Sequence, residues 1–121
     1  MSPPPLLWLV AFLWTVALEL PIYVAILRKR FTAWWAPCLL TLGVDLVTHP
    51  TLWYVVPRFE PYETWVLVSE IGVVLVEGLL VAAALRLRPT PLRALGLGMW
   101  ASLAANAFST VVGLYMMPLF L

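Results

Sequence analysis

The chain has 121 residues, of which 64% are hydrophobic and only 11% are charged, and its mean hydropathy is +0.99. A water-soluble domain of this size could not bury so much apolar surface, so the composition excludes a soluble enzyme and indicates a single membrane domain. Seven basic against six acidic residues leave a net charge of +1, which excludes a basic surface for nucleic acid, and the single cysteine, Cys38, excludes an internal disulfide.

Four apolar segments are long enough to cross a bilayer, because about 20 helical residues span roughly 30 Å of hydrocarbon. They cover residues 6–27, 32–56, 64–85 and 94–117. All seven basic residues fall in the connections between them. The sequence therefore predicts an all-α fold, a polytopic membrane protein whose single four-helix transmembrane domain fills residues 1–121.

The basic residues favour one orientation of these spans. Loops 28–31 and 86–93 hold three basic residues each, whereas the loop between the second and third spans holds only Arg58. The positive-inside rule therefore places these two loops in the cytoplasm and both termini outside. The first apolar segment has no Lys or Arg before it, which is atypical of a secretory signal, so we expect it to remain as a span.

Four carboxyl groups lie within the predicted spans, at Glu19, Asp45, Glu70 and Glu77. A charge at the bilayer centre costs about 2.5 to 3.5 kcal/mol, so these groups must face one another, face water or carry a proton. Helical spacing puts His49 on the face of Asp45 and puts Glu77 on the face of Glu70. The fourth span adds an amide to the same interior. We call the whole predicted set the polar ladder: Glu19, Asp45, His49, Glu70, Glu77 and Asn106.

Two prolines stand beside residues of the polar ladder. Pro21 follows Glu19 by two positions, and Pro50 directly follows His49. Each proline removes a helix hydrogen bond and predicts a kink that frees a carbonyl four residues back. Such a carbonyl can coordinate an ion or a water, or a neighbouring helix can satisfy it, and the sequence leaves both roles open.

One histidine among carboxylates is a donor set that suits a divalent metal such as manganese, iron or zinc. The candidate ligands are His49, Asp45 and Glu70. The same side chains could equally line a path for protons or cations. They could also be a neutral imidazole and protonated acids that hydrogen-bond inside the bundle. No catalytic nucleophile is predicted, because neither Cys38 nor any serine lies in a recognisable nucleophile motif.

The segment Asp45–Trp53 has the pattern Asp-Leu-x-Thr-His-Pro-x-x-Trp, and Glu70 and Glu77 follow it. This pattern resembles a motif of small bacterial four-span membrane proteins that have no assigned activity, in which asparagine often stands in place of the aspartate. The resemblance implies that the threonine, histidine and tryptophan of the motif act together with the two glutamates. It also implies the bacterial inner membrane as the location of this multi-pass protein.

The length, the four spans and a glutamate in the first span, Glu19, also resemble in form the small multidrug resistance exporters. In that family such a glutamate exchanges protons for a cationic substrate, but the resemblance is one of form only. The chain departs from that family in the three further carboxyls and the histidine within its spans. It also departs in the uneven distribution of its basic residues, which favours one orientation.

Three functions are compatible with these patterns. The sequence favours proton- or cation-coupled transport or conduction along the polar ladder. An alternative is a non-catalytic subunit or scaffold of a larger membrane complex, because four helices barely enclose a cavity. A further alternative is an intramembrane metal-dependent enzyme that acts on lipid or membrane peptide. We also expect a homo-oligomer or a partner subunit, since four helices alone would leave some carboxyls near lipid.

Overall fold

The computed structural model describes residues 4–120, with side chains described through residue 116. In this part of the chain, helices are joined by short connections and no strand is present. The helices are α1 (Pro5–Leu27), α2 (Ala36–Tyr54), α3 (Tyr62–Ala84) and α4 (Pro91–Phe120), and the 3-10 turn Arg28–Arg30 follows α1. The predicted all-α fold is confirmed.

Prolines mark the start of three helices, because a residue without an N–H is tolerated in the first helical turn. Pro5 and Pro91 are the first residues of α1 and α4, and Pro37 is the second residue of α2. Thr90 caps α4, since its hydroxyl accepts the backbone N–H of Arg93 at 3.1 Å. As a result, α4 begins before the predicted fourth span, whereas α2 begins after the start of the predicted second span.

Three helical segments are long and apolar enough to cross a membrane: Pro5–Arg30, Tyr62–Ala84 and Pro91–Met116. The 19-residue α2 is less apolar, because Asp45, His49 and three threonines lower its hydropathy. The three apolar helices indicate a membrane protein.

The four helices form a ring in which each helix contacts the next in sequence and α4 returns to α1. Short connections make successive helices run antiparallel. Connections 28–35 and 85–90 therefore lie together at one end, which we call the basic end. Connection 55–61 lies at the opposite end, which we call the 55–61 end.

The bundle is apolar on the outside and carries acidic groups inside. Large side chains such as Leu75 and Trp100 are more than half exposed, whereas Glu19, Asp45 and Glu77 are each only 1% exposed. Nine buried side chains, eight from the four helices and one from the residue that follows α3, form an apolar core toward the basic end. They are Tyr23, Leu27, Val44, Val81, Ala82, Leu85, Ala94, Ala101 and Ala105.

Helices α3 and α4 approach each other closely at Gly98. A Cβ atom on Gly98 would overlap the carbonyl oxygen of Gly78 and lie 3.1 Å from the backbone nitrogen of Ala82. We expect Gly98→Ala to lower the free energy of unfolding by about 1–3 kcal/mol, because the backbone of α3 would have to move. Unfolding in mixed micelles with increasing dodecyl sulfate, followed by circular dichroism, measures this change.

Gly96→Ala is the matched control, because no heavy atom lies within 4 Å of its Cβ position. Alanine is also the better helix former, so this variant should be as stable as the wild type or slightly more stable. Equal unfolding midpoints for the two variants would contradict the close approach at Gly98.

Candidate functional site

Three carboxyl groups meet inside the bundle, from Glu19 of α1, Asp45 of α2 and Glu77 of α3. One carboxylate oxygen of each lies within 4.8 Å of those of the other two. We call these three residues the carboxyl triad. Among the described side chains, no other group of three acidic, histidine or cysteine residues comes this close together.

Glu77 is held in place by donors from the other three helices. Its Oε1 accepts the hydroxyl of Tyr23 at 2.7 Å and the amide of Asn106 at 3.3 Å. Its Oε2 accepts the hydroxyl of Thr48 at 2.9 Å. A carboxyl group fixed from three directions is rigidly positioned, so Glu77 is the structural anchor of the carboxyl triad.

Glu19 and Asp45 have fewer donors than Glu77. The hydroxyl of Ser109 donates to Oε2 of Glu19 at 2.7 Å. Oε1 of Glu19 and Oδ2 of Asp45 are buried and accept no hydrogen bond from the protein. A buried acceptor without a partner costs about 1–3 kcal/mol, so a donor at this pair, whether a proton, a cation or a water, would stabilise the site. One carboxylate oxygen of Glu19 lies within 4.8 Å of one of Asp45.

A cavity of about 1130 Å³ leads from the 55–61 end to the carboxyl triad. All four helices line it, through residues within 7–19, 45–56, 62–77 and 106–116. None of the nine residues of the apolar core lines this cavity. The cavity therefore reaches the triad from the 55–61 end, while packed apolar side chains fill the bundle toward the basic end.

The cavity changes in character from its mouth to its floor. Aromatic rings line the wall, including Trp53, Tyr62 and Trp65. Arg58 is the one lysine or arginine among the lining residues, and its guanidinium lies 4.9 Å from the ring centre of Trp65. The floor carries the carboxyl triad, and Glu70 is a fourth lining carboxyl. The mouth is thus aromatic with one cation, and the interior is acidic.

His49 lies on the cavity wall among aromatic rings. Its ring centroid is 5.7 Å from that of Phe12, 6.0 Å from Trp53 and 6.4 Å from Trp8. Its Nε2 is 3.2 Å from the hydroxyl oxygen of Thr15, and its Nδ1 is buried without a partner. The imidazole therefore contacts α1 nearer the mouth than the carboxyl triad does.

The structure brings together part of the predicted polar ladder. Asn106 joins the carboxyl triad through Glu77, whereas His49 and Glu70 lie on the cavity wall. The candidate metal ligands His49, Asp45 and Glu70 do not converge on one ligand shell, since Asp45 groups with the other two triad residues instead. One helical turn separates Asp45 from His49, so the two side chains face different turns of α1.

The motif found in the sequence lies at this site. Its threonine, Thr48, donates to Glu77, and its histidine stacks on Trp53 at the cavity wall. Helix α2 continues through Pro50, and α1 likewise continues through Pro21, so neither proline ends its helix. The motif therefore contributes both to the cavity wall and to the hydrogen bonds around the carboxyl triad.

Tyr23 belongs to the site although the polar ladder did not include it. It is fully buried and gives Glu77 its shortest hydrogen bond. The signal in the sequence is its position four residues after Glu19, which puts both side chains on one face of α1. Its hydroxyl makes Tyr23 a donor to the triad, while its ring belongs to the apolar core.

No family model, curated protein or solved structure matches this chain.

Proposed function

We propose that the protein is a membrane transporter in which the carboxyl triad exchanges protons for a cation that enters through the cavity. The observation that carries this proposal is the pair of unpartnered, buried oxygens on Glu19 and Asp45 at the cavity floor. Intramembrane ionisable groups that face a cavity are typical of ion and proton pathways.

The charges of the cavity favour a cation as the transported species. Four carboxyl groups line the cavity, and the lining residues include Arg58 but no other lysine or arginine. With no cation bound, a proton between Glu19 and Asp45 would supply a donor to this pair. A bound cation would satisfy the same oxygens in its place. Because one pair of oxygens accepts either ligand, binding of the cation releases the proton, and this competition couples the two movements.

Access from one end supports an alternating mechanism. The cavity reaches the triad from the 55–61 end, and transport requires a second conformation that opens the basic end. Tyr23 connects the two regions, since its hydroxyl donates to Glu77 and its ring packs in the apolar core. A change of ligand at the triad would therefore act on the packing that closes the basic end.

The same proposal includes a four-span topology in the bacterial inner membrane. Helix α2 packs between α1 and α3, and its 19 residues reach roughly 28 Å at 1.5 Å per residue. A polar helix of this length is compatible with the membrane because its acidic group faces the bundle interior. The basic loops would lie in the cytoplasm, so the cavity would open to the outside.

Proton flux into liposomes tests the proposal. We expect liposomes containing the protein and an internal pH dye to acidify faster than empty liposomes under a potassium diffusion potential. Opposing gradients of sodium, manganese or a primary ammonium ion supply an exchangeable cation in parallel runs. Glu77→Gln should reduce the added flux to the level of empty liposomes, because the substitution removes the anchoring carboxylate while keeping its size.

Glu60→Gln is the matched control, because Glu60 is exposed in connection 55–61 and does not line the cavity. Its flux should equal that of the wild type. Wild-type flux no faster than that of empty liposomes in every gradient, or equal flux in Glu77→Gln, would refute transport through the triad.

A further inference from the structure

We propose, resting on the function above, that the cation is an amphipathic primary amine. Its ammonium group would bind the carboxyl triad, and its apolar or aromatic body would lie along the cavity wall. Two features of the site lead to this inference: the kind of hydrogen-bond partner that the triad lacks, and the size and lining of the cavity above it.

Two buried oxygens of the triad have no hydrogen-bond donor. Oε1 of Glu19 and Oδ2 of Asp45 belong to side chains that are each 1% exposed, and neither oxygen has a partner. Oε2 of Glu77 can become a third acceptor, because the hydroxyl of Thr48 can donate to the carbonyl of Val44 instead, at 3.0 Å. A primary ammonium group carries three N–H donors and no acceptor, which matches these three oxygens.

The spacing of the triad is compatible with an ammonium nitrogen. Charge-assisted N–H···O bonds are about 2.8 Å long, so two oxygens bound to one tetrahedral nitrogen lie about 4.6 Å apart. One oxygen from each triad residue lies within 4.8 Å of the others. A trimethylammonium group carries the same charge but no N–H, so it would leave the two buried oxygens without donors.

Exchange of one ammonium ion for one proton keeps the site balanced. In the resting site, Glu19 and Asp45 share a proton. When the ammonium ion enters, both carboxylates accept its N–H groups and the shared proton leaves through the cavity. One positive charge arrives, one departs, and no covalent bond to carbon forms or breaks. Binding should therefore release about one proton per amine.

The cavity is far larger than an inorganic ion requires. Its volume of about 1130 Å³ is slightly larger than the range of about 300 to 1,000 Å³ typical of cavities that hold organic ligands. Trp14, Trp53 and Tyr62 contribute aromatic surface to its wall. A bare metal ion would contact only the floor, whereas an amphipathic amine would also bury apolar surface against these rings.

Binding of 4-phenylbutylamine to the full-length protein tests this inference. The protein is placed in nanodiscs that contain only phosphatidylcholine, which has no primary amine, and binding is measured by titration calorimetry against empty nanodiscs. We expect the amine to bind about tenfold or more tightly than 4-phenylbutyltrimethylammonium. Titrations in buffers with different ionisation heats should give about one proton released per amine.

Two pairs of variants locate the amine. Asp45→Asn should weaken binding at least tenfold, whereas Glu60→Gln should leave it unchanged. Trp53→Leu should weaken binding by removing an aromatic wall residue. Trp100→Leu should not, because Trp100 is 58% exposed and does not line the cavity. The comparison of the two probes needs no variant, so it stands even if a substitution disturbs folding.

The ammonium group could belong to a free amine or to an ethanolamine lipid, and a second set of nanodiscs distinguishes these sources. If phosphatidylethanolamine competes with the amine, the inference is supported and the ligand is a lipid. If the amine binds tightly and phosphatidylethanolamine does not compete, the inference is supported and the ligand is a free amine. Equal affinity for the two probes, or binding of Mn²⁺ through Asp45 without amine binding, would overturn it. Flux that depends on Glu77 but no amine binding would overturn this inference alone, whereas amine binding without any flux would overturn transport alone.

Discussion

Replacing Glu77 by alanine is expected to lower the free energy of unfolding by about 2–4 kcal/mol. Tyr23 is fully buried and loses the acceptor of its hydroxyl, Oε1 of Glu77 at 2.7 Å. Thr48 and Asn106 lose less, because each also donates to a carbonyl of its own helix, at 3.0 and 2.9 Å. The loss therefore combines one unpaired buried hydroxyl with the volume left by the missing side chain.

A double-mutant cycle with Tyr23→Phe isolates this hydrogen bond. Unfolding in mixed micelles, followed by circular dichroism, would be measured for both single variants and for the double variant. The double variant should be about 1–2 kcal/mol more stable than the sum of the single losses predicts, because phenylalanine leaves no unpaired hydroxyl. Glu63→Ala, at an exposed acidic residue of α3, should stay within about 0.5 kcal/mol of the wild type. Additive losses would show that the Tyr23–Glu77 hydrogen bond contributes nothing of its own.

Hydropathy could predict the apolar helices but not the limits of α2. Averaged over some 20 residues, it reports whether a helix matches the thickness of a membrane, and this holds for α1, α3 and α4. It cannot distinguish an apolar turn from an apolar helix. The segment Phe31–Trp35 is rich in apolar residues yet is not α-helical, because Pro37 favours a helix start at Ala36.

The composition of the site could be predicted only in part, for a similar reason. The cost of a charge in hydrocarbon predicts that Glu19, Asp45 and Glu77 face inward, and the structure buries all three. Which side chains then meet depends on how each helix is rotated and how closely it packs. The contact at Gly98 is one such determinant, and no periodicity within a single helix encodes it. For this reason the sequence suggested His49 as a partner of Asp45, whereas the structure places Glu19 beside it.

Asp45→Asn is expected to stabilise the folded protein by about 1–2 kcal/mol and to abolish its function. Asparagine has nearly the same shape as aspartate, and its amide can donate to the unpartnered Oε1 of Glu19. It also removes one of the two acidic groups that would share a proton in the proposed mechanism. The amide would thus supply permanently what a proton or an ammonium group supplies reversibly, so proton flux and amine binding should both fall to background.

Asp45→Ala distinguishes this new hydrogen bond from a stabilisation that comes only from removing repulsion between the carboxylates. Alanine removes the same carboxylate but provides no donor, so Oε1 of Glu19 stays unpartnered and the variant should gain no stability from a hydrogen bond. Unfolding midpoints in mixed micelles for the wild type and both variants give the comparison. If alanine stabilised the protein as much as asparagine, the unpartnered oxygens would not be what destabilises the site. A gain specific to asparagine, together with lost flux, would instead mean that the site keeps its acceptors open for a ligand at the expense of stability.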